Sequence, residues 1–147
     1  MGHLSFQRTV AARTVPSRPT DAGYGEASLT KIRVLLADDD PVERLRVSSV
    51  LAHAGVEVVA VATGHDVVDA VVAWEPNVVI LSWPLEGGGL ELVRQLVEEL
   101  GMGGRVILSS AVVDVGTEHD ALEAGAIHFV TRPAEPDRLI AAIRSAT

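Results

Sequence analysis

Five side chains able to do chemistry stand at the ends of short apolar runs: Asp38 and Asp39, Ser82, Ser110 and Arg132. Two adjacent carboxylates repel each other unless a cation sits between them. A hard divalent ion such as Mg2+ is the natural counter-charge, usually held by one or two carboxylates and several waters. A serine hydroxyl can bind a phosphoryl oxygen or a water. An arginine can balance either the acids or an incoming phosphate. The same residues also allow a plainer arrangement, in which Arg132 pairs with Asp38 or Asp39 and the cluster satisfies itself without a ligand.

The elements that must position these groups follow from hydrophobic patterning. Val78 to Leu81 is an unbroken apolar run bounded by Pro76 and Pro84, which reads as a strand buried on both faces and ending in Ser82. Ile32 to Ala37 reads as a first strand. Asp40 then serves as the N-cap of a helix opened by Pro41 and stopped at Gly55. Val56 to Ala62 predicts a second strand, Asp66 to Trp74 a helix, and Leu90 to Leu100 an amphipathic helix beyond Gly87-Gly88-Gly89. Arg105 to Ser109 predicts a fourth strand. A weaker helix lies within Thr117 to Ala124, Ala126 to Thr131 is a fifth strand, and a last helix runs from Pro136 to Ser145. Five alternating strand–helix pairs demand a parallel sheet with helices on both faces, a doubly wound α/β fold. The strand ends gather the five groups at one edge, where ligands of such sheets bind.

Composition bounds the function. The 147 residues carry 48% hydrophobic but only 3% aromatic side chains, and no cysteine. One domain with an aliphatic core is expected, and thiolate metal sites and cysteine nucleophiles are excluded. Residues 31–147 hold nine basic and eighteen acidic residues, a balance that repels nucleic acid. No apolar stretch approaches the roughly 20 residues that span a bilayer. Neither nucleic acid nor a membrane is therefore expected as a partner. Residues 1–30 lack periodicity and contain Pro16, Pro19, Gly23 and Gly25, so a disordered N-terminal extension is expected there. Arg8 and Arg13 faintly suggest a transit peptide; a disordered tail is the preferred reading.

Residues 31–147, about four-fifths of the chain, resemble the receiver domain of bacterial two-component response regulators. The resemblance rests on Asp38-Asp39-Asp40-Pro41 after the first strand, Pro76 spaced ahead of residue 82, Ser110-Ala111 after the fourth strand, and Gly125-Ala126 leading to Arg132-Pro133. It implies a flavodoxin-like (βα)5 architecture, a phosphorelay role and a cytoplasmic location. It also implies Mg2+ ligands at Asp38 and Asp39, phosphate-pocket positions at Ser110 and Arg132, and a switch aromatic at Phe129. Receivers carry a phospho-accepting aspartate at the position matched by Ser82 and a lysine at that of Arg132. Ser82 has no carboxylate to attack a phosphoryl donor, and a third metal ligand goes with it, so any Mg2+ binding is expected to be weak. The loop from Trp83 to Gly89 is one residue shorter than the usual pattern.

The expected reading is a degenerate receiver, or pseudo-receiver, rather than an enzyme. It would act by phosphorylation-independent contact with a kinase or downstream effector, through its last two helices and last strand, and could form a homodimer. Glu118, His119, Glu123, Asp137, Arg138 and Arg144 lie on that surface. Three alternatives are weaker. A serine hydrolase lacks the Gly-x-Ser-x-Gly elbow. A nucleotide-binding domain lacks a glycine-rich phosphate loop after the first strand. A small-ligand sensor or scaffold of the same fold stays open.

Overall fold

The computed structural model describes Gln7–Arg8, residues 32–111 and residues 114–147. The remainder of the proposed N-terminal extension lies outside the described residues. Gln7–Arg8 forms β1, a two-residue strand. There follow β2 (Arg33–Ala37), α1 (Pro41–His53), β3 (Glu57–Val61), a 3-10 turn (Gly64–Asp66) and α2 (Val67–Trp74). The chain continues through β4 (Val78–Trp83), α3 (Leu90–Glu98), β5 (Val106–Ser110), α4 (Val115–Ala124), β6 (His128–Thr131) and α5 (Pro136–Ser145).

Strands β2 to β6 make the expected five-stranded parallel sheet, in the order β3-β2-β4-β5-β6. A sixth strand, β1, adds antiparallel pairing at the β3 edge, with Gln7 opposite Ala60 and Arg8 opposite Val59. Alternation of side chains across each strand divides the core into two layers. Leu35, Val59, Val79, Leu81 and Leu108 pack with α2, α3 and α4 through Val71, Val93, Leu96 and Ala121. Val34, Leu36, Val58, Ile80 and Ile107 face the other way, toward Val47 and Leu51 of α1 and Leu139 and Ile143 of α5. Each buried leucine or isoleucine contributes roughly 1.5–3 kcal/mol of transfer free energy.

Local chemistry sets the helix ends. The Asp40 carboxylate accepts the Val42 amide at 3.0 Å, and Pro41 occupies the first helical turn. Helix α4 starts at Val115, two residues ahead of the expected span, because the Asp114 side chain accepts from the Gly116 amide at 3.1 Å and the Thr117 hydroxyl at 2.8 Å. Those bonds hold the Asp114 carboxyl below its ordinary pKa, the Thr117 hydroxyl contributing most. Gly64–Asp66 turns as a 3-10 helix ahead of α2, with the Asp66 amide bonded to the Thr63 carbonyl at 3.3 Å. Strand β6 begins at His128 rather than Ala126, since the Ala126 amide is taken by Ala121 at the end of α4.

Candidate functional site

Register brings the polar groups together. Ala37 is paired with Leu81 across β2 and β4, so Asp38 follows on one strand and Ser82 on its neighbour. Ser82 is itself in register with Ser109 of β5, and Ser110 with Thr131 of β6, which places Arg132 just beyond the last pair. This is the C-terminal edge of the parallel sheet, where β2 and β4 lie side by side and the crossovers diverge.

Asp38 is 1% exposed. Its amide donates to the Val61 carbonyl at 3.1 Å and continues the β2–β3 ladder. One carboxylate oxygen, Oδ1, accepts the Asp40 amide at 3.0 Å. The other, Oδ2, lies 3.4 Å from Arg132 Nη1. The Arg44 guanidinium donates to the Asp38 carbonyl oxygen at 2.8 Å. Burial pushes the Asp38 carboxyl above its ordinary pKa; the Asp40 amide and the Arg132 charge oppose that shift, while Glu43 and Asp39 add to it. Arg132 also donates from Nη2 to the Trp83 carbonyl oxygen at 3.2 Å. One guanidinium thus spans the end of β2 and the end of β4. Its own backbone amide donates to the Ser110 carbonyl at 2.7 Å. The bonds from Trp83 to Pro84 and from Arg132 to Pro133 are both cis.

Ser82 is 2% exposed, and its hydroxyl has no hydrogen-bond partner among the described residues. Among the described residues no histidine is therefore bonded to it, and none forms a nucleophile–base pair with it. Asp38, Ser82, Ser109 and Arg132, with Glu43 and Arg46 of α1, line a cavity of about 10 Å³ floored by Leu36 and Ile80. That volume is room for at most about one water. The loop after β4 folds against the 3-10 turn, where the Gly64 amide donates to the Glu86 carbonyl at 2.7 Å. Leu85 is buried beneath that loop.

The remaining sequence-derived residues do not line the cavity. Asp39 is exposed beside it. Ser110 is 1% exposed but lies on the opposite face of β5 from Ser109, and it does not line the cavity. Phe129 is half-buried against the layer formed by α2, α3 and α4. His128 Nε2 contacts the Ser145 hydroxyl at 3.0 Å. Trp74 stacks under Arg33, with the guanidinium 5.5 Å from the ring centre. Among the described residues, the three-ligand acidic grouping is His119, Asp120 and Glu123 on α4, exposed and separate from Asp38 and Asp39. Sequence reasoning missed Ser109, Arg44, Glu43 and Arg46. Strand alternation carried a signal for Ser109, since it lies two residues beyond Ile107 as Ser82 lies two beyond Ile80. For the α1 residues the only signal was position in the first turns of a helix following the acids.

Comparison with known proteins agrees with this architecture. A family model of the response regulator receiver domain matches residues 34–144. The chemotaxis protein CheY of Bacillus subtilis is 29% identical over 113 residues, covering 76% of this chain and 93% of CheY. The phosphate regulon transcriptional regulatory protein PhoB of Pseudomonas aeruginosa is 28% identical over 114 residues, 76% of this chain but 50% of PhoB. The response regulator ARR21 of Arabidopsis thaliana is 29% identical, and the chain spans only 19% of its length. In three dimensions, the chemotaxis response regulator CheY4 of Vibrio cholerae superimposes with a TM-score of 0.71 at 20% identity, over 79% of this chain and 98% of that one. The class that fold and site define is a doubly wound α/β signalling domain, and the chain belongs to the response regulator receiver domain family.

Receiver domains are signalling modules of two-component systems, and typically bind Mg2+ at an acidic pocket. The donor set here fits that ion poorly. Of the two acids, Asp38 is engaged by the Asp40 amide and by Arg132, and residue 82 offers a neutral hydroxyl. Among the described residues, no helix is long and apolar enough to cross a membrane.

Proposed function

We propose that this chain is a receiver-type signalling domain whose output is protein–protein contact and not an acyl phosphate at residue 82. The observation that carries the reading is Ser82 itself. It ends β4, where the resemblance to receivers calls for a phospho-accepting aspartate, and its hydroxyl is 2% exposed. A hydroxyl cannot form a mixed anhydride with a phosphoryl group, and a buried one without a base is a poor nucleophile. Arg132 stands where receivers carry a phosphate-contacting lysine, Ser110 where they carry a hydroxyl, and Phe129 where they carry a switch aromatic.

The partner surface in this reading is formed by α4, β6 and α5. Glu118, His119, Glu123, Asp137, Arg138 and Arg144 are all exposed there. Val115 at 78%, Leu122 at 43% and Ile127 at 38% exposure add apolar area. A kinase or a downstream effector domain is the expected class of partner, in the cytoplasm, with a homodimer through the same surface as a competing use. Small-ligand sensing at the pocket is the weaker reading, because the cavity beside Ser82 is no larger than about one water.

The test is intact mass after incubation with acetyl phosphate and Mg2+. The native chain is expected to show no phosphoryl adduct. The double variant Ser82→Asp/Arg132→Lys, which supplies both the acceptor and the shorter cation, is expected to acquire one. An adduct on the native chain that maps to Ser82 sinks the proposal.

A further inference from the structure

The acidic pocket already contains a cation, and the chain itself supplies it. Arg132 directs Nη1 at Asp38 Oδ2 (3.4 Å) and Nη2 at the Trp83 carbonyl oxygen (3.2 Å). Its side chain is 16% exposed and that of Asp38 is 2% exposed. A divalent ion in this place would need several oxygens turned toward one point, at about 2.0–2.1 Å for Mg2+. Here Asp38 Oδ1 is already taken by the Asp40 amide, and Oδ2 and the Trp83 carbonyl both face guanidinium nitrogens. An arginine side chain cannot give way by losing its proton. Asp39 alone stays exposed, and one solvated carboxylate holds a divalent ion weakly.

We infer that Arg132 takes the place of the divalent cation, so that the pocket is pinned in one state whether or not Mg2+ is present. The inference deepens the reading above and rests on it, because a serine at residue 82 leaves Asp38 as the acidic partner of Arg132. In this arrangement the guanidinium neutralises the buried carboxylate and ties the end of β4 to the end of β2. The same two oxygens, Asp38 Oδ2 and the Trp83 carbonyl, become available to a metal when the guanidinium is removed. A cation-responsive pocket is thus one substitution away.

The experiment titrates MgCl2 into the millimolar range at constant ionic strength, following tryptophan fluorescence and thermal unfolding of the full chain. The Trp83 side chain is half-buried in the layer behind the pocket, and its carbonyl oxygen accepts from Arg132, so its fluorescence follows the loss or replacement of that contact. The native protein is expected to show no saturable response in either signal. Arg132→Ala is expected to gain one, with Tm rising about 4–7 °C at ten times its Kd. Adding Asp39→Asn to that variant is expected to abolish the gain. A saturable response of the native chain that disappears in Asp38→Asn overturns the inference. So does a folded Arg132→Ala protein that stays blind to Mg2+. Should Arg132→Ala fail to fold, Arg132→Gln keeps the stem without the charge and carries the same expectation. A native Mg2+ response leaves the absence of an adduct at residue 82 untouched. An adduct there, without a metal response, fails the earlier reading instead.

Discussion

Replacing Ser82 by alanine should stabilise the protein. The Ser82 hydroxyl is 2% exposed at the residue level and has no partner among the described residues. A buried hydroxyl left unpaired costs about 1–3 kcal/mol relative to one that is solvated or bonded. Alanine removes that cost along with one atom. It gives back a few tenths of a kcal/mol through its lower preference for strands, and the lost contacts of one small atom cost little more. The balance is a gain of about 1 kcal/mol, or about 3–5 °C in Tm for a domain of this size. Urea unfolding followed by far-UV circular dichroism checks it: the midpoint should rise with the slope unchanged. A loss of about 0.5 kcal/mol or more would refute the reasoning. It would show that the cavity of about 10 Å³ beside Ser82 holds a water that satisfies the hydroxyl, so that serine is the structurally preferred residue there.

Three further outcomes follow from the same geometry. Asp38, pushed upward chiefly by burial, should titrate above 3.8 in carboxyl NMR. The native state then binds that proton more readily than the unfolded chain, so the stability contributed by Asp38 falls as pH rises from 3.8 through its native pKa and stays lost above it. Arg132→Gln removes an opposing charge and should move the midpoint higher; a midpoint at or below 3.8 in the native protein contradicts the assignment. Asp40→Ala removes the acceptor of the Val42 amide and should cost about 1 kcal/mol in denaturant unfolding, while an unchanged midpoint would mean that water caps α1 equally well. Gly64→Ala would drive a Cβ into the Gly87 carbonyl and should cost about 1–3 kcal/mol, with neutral behaviour showing that the loop after β4 is free to shift.

The fold was legible because its signals are periodic and local. Val78 to Leu81 has no polar interruption, which is the mark of a strand covered on both faces, and it is buried throughout. Asp40-Pro41 and Gly125 mark helix ends through chemistry that acts within a few residues, and both behave accordingly. The misplaced boundaries have equally local causes. The Asp114 cap lies ahead of a helix whose apolar pattern is faint, so periodicity located its body and not its start. The pairing of Gln7–Arg8 with β3 is of a different kind. Two residues are too few for any period to be visible, and edge pairing depends on backbone groups that every residue but proline carries.

The candidate site was legible as a set of strand ends but not as a set of faces. Position along the chain put Ser82 and Ser110 at one edge, and both are there. What decides whether two side chains meet is the side of the sheet they occupy, and that changes with every residue. Ser82 shares its face with Ile80, and Ser109 shares the same face with Ile107, whereas Ser110 follows Leu108 into the other layer. Counting by twos from the buried isoleucines would have paired Ser82 with Ser109. The same reasoning explains why Asp38 and not Asp39 meets Arg132. Asp38 continues the face of Val34 and Leu36 into the cavity, while Asp39 has turned out toward solvent. The acid that is buried thus acquires the guanidinium, and the acid that is exposed is left to water. A pair of adjacent carboxylates is divided by strand alternation into two unlike groups, and removing Arg132 would be required before both could bind one ion.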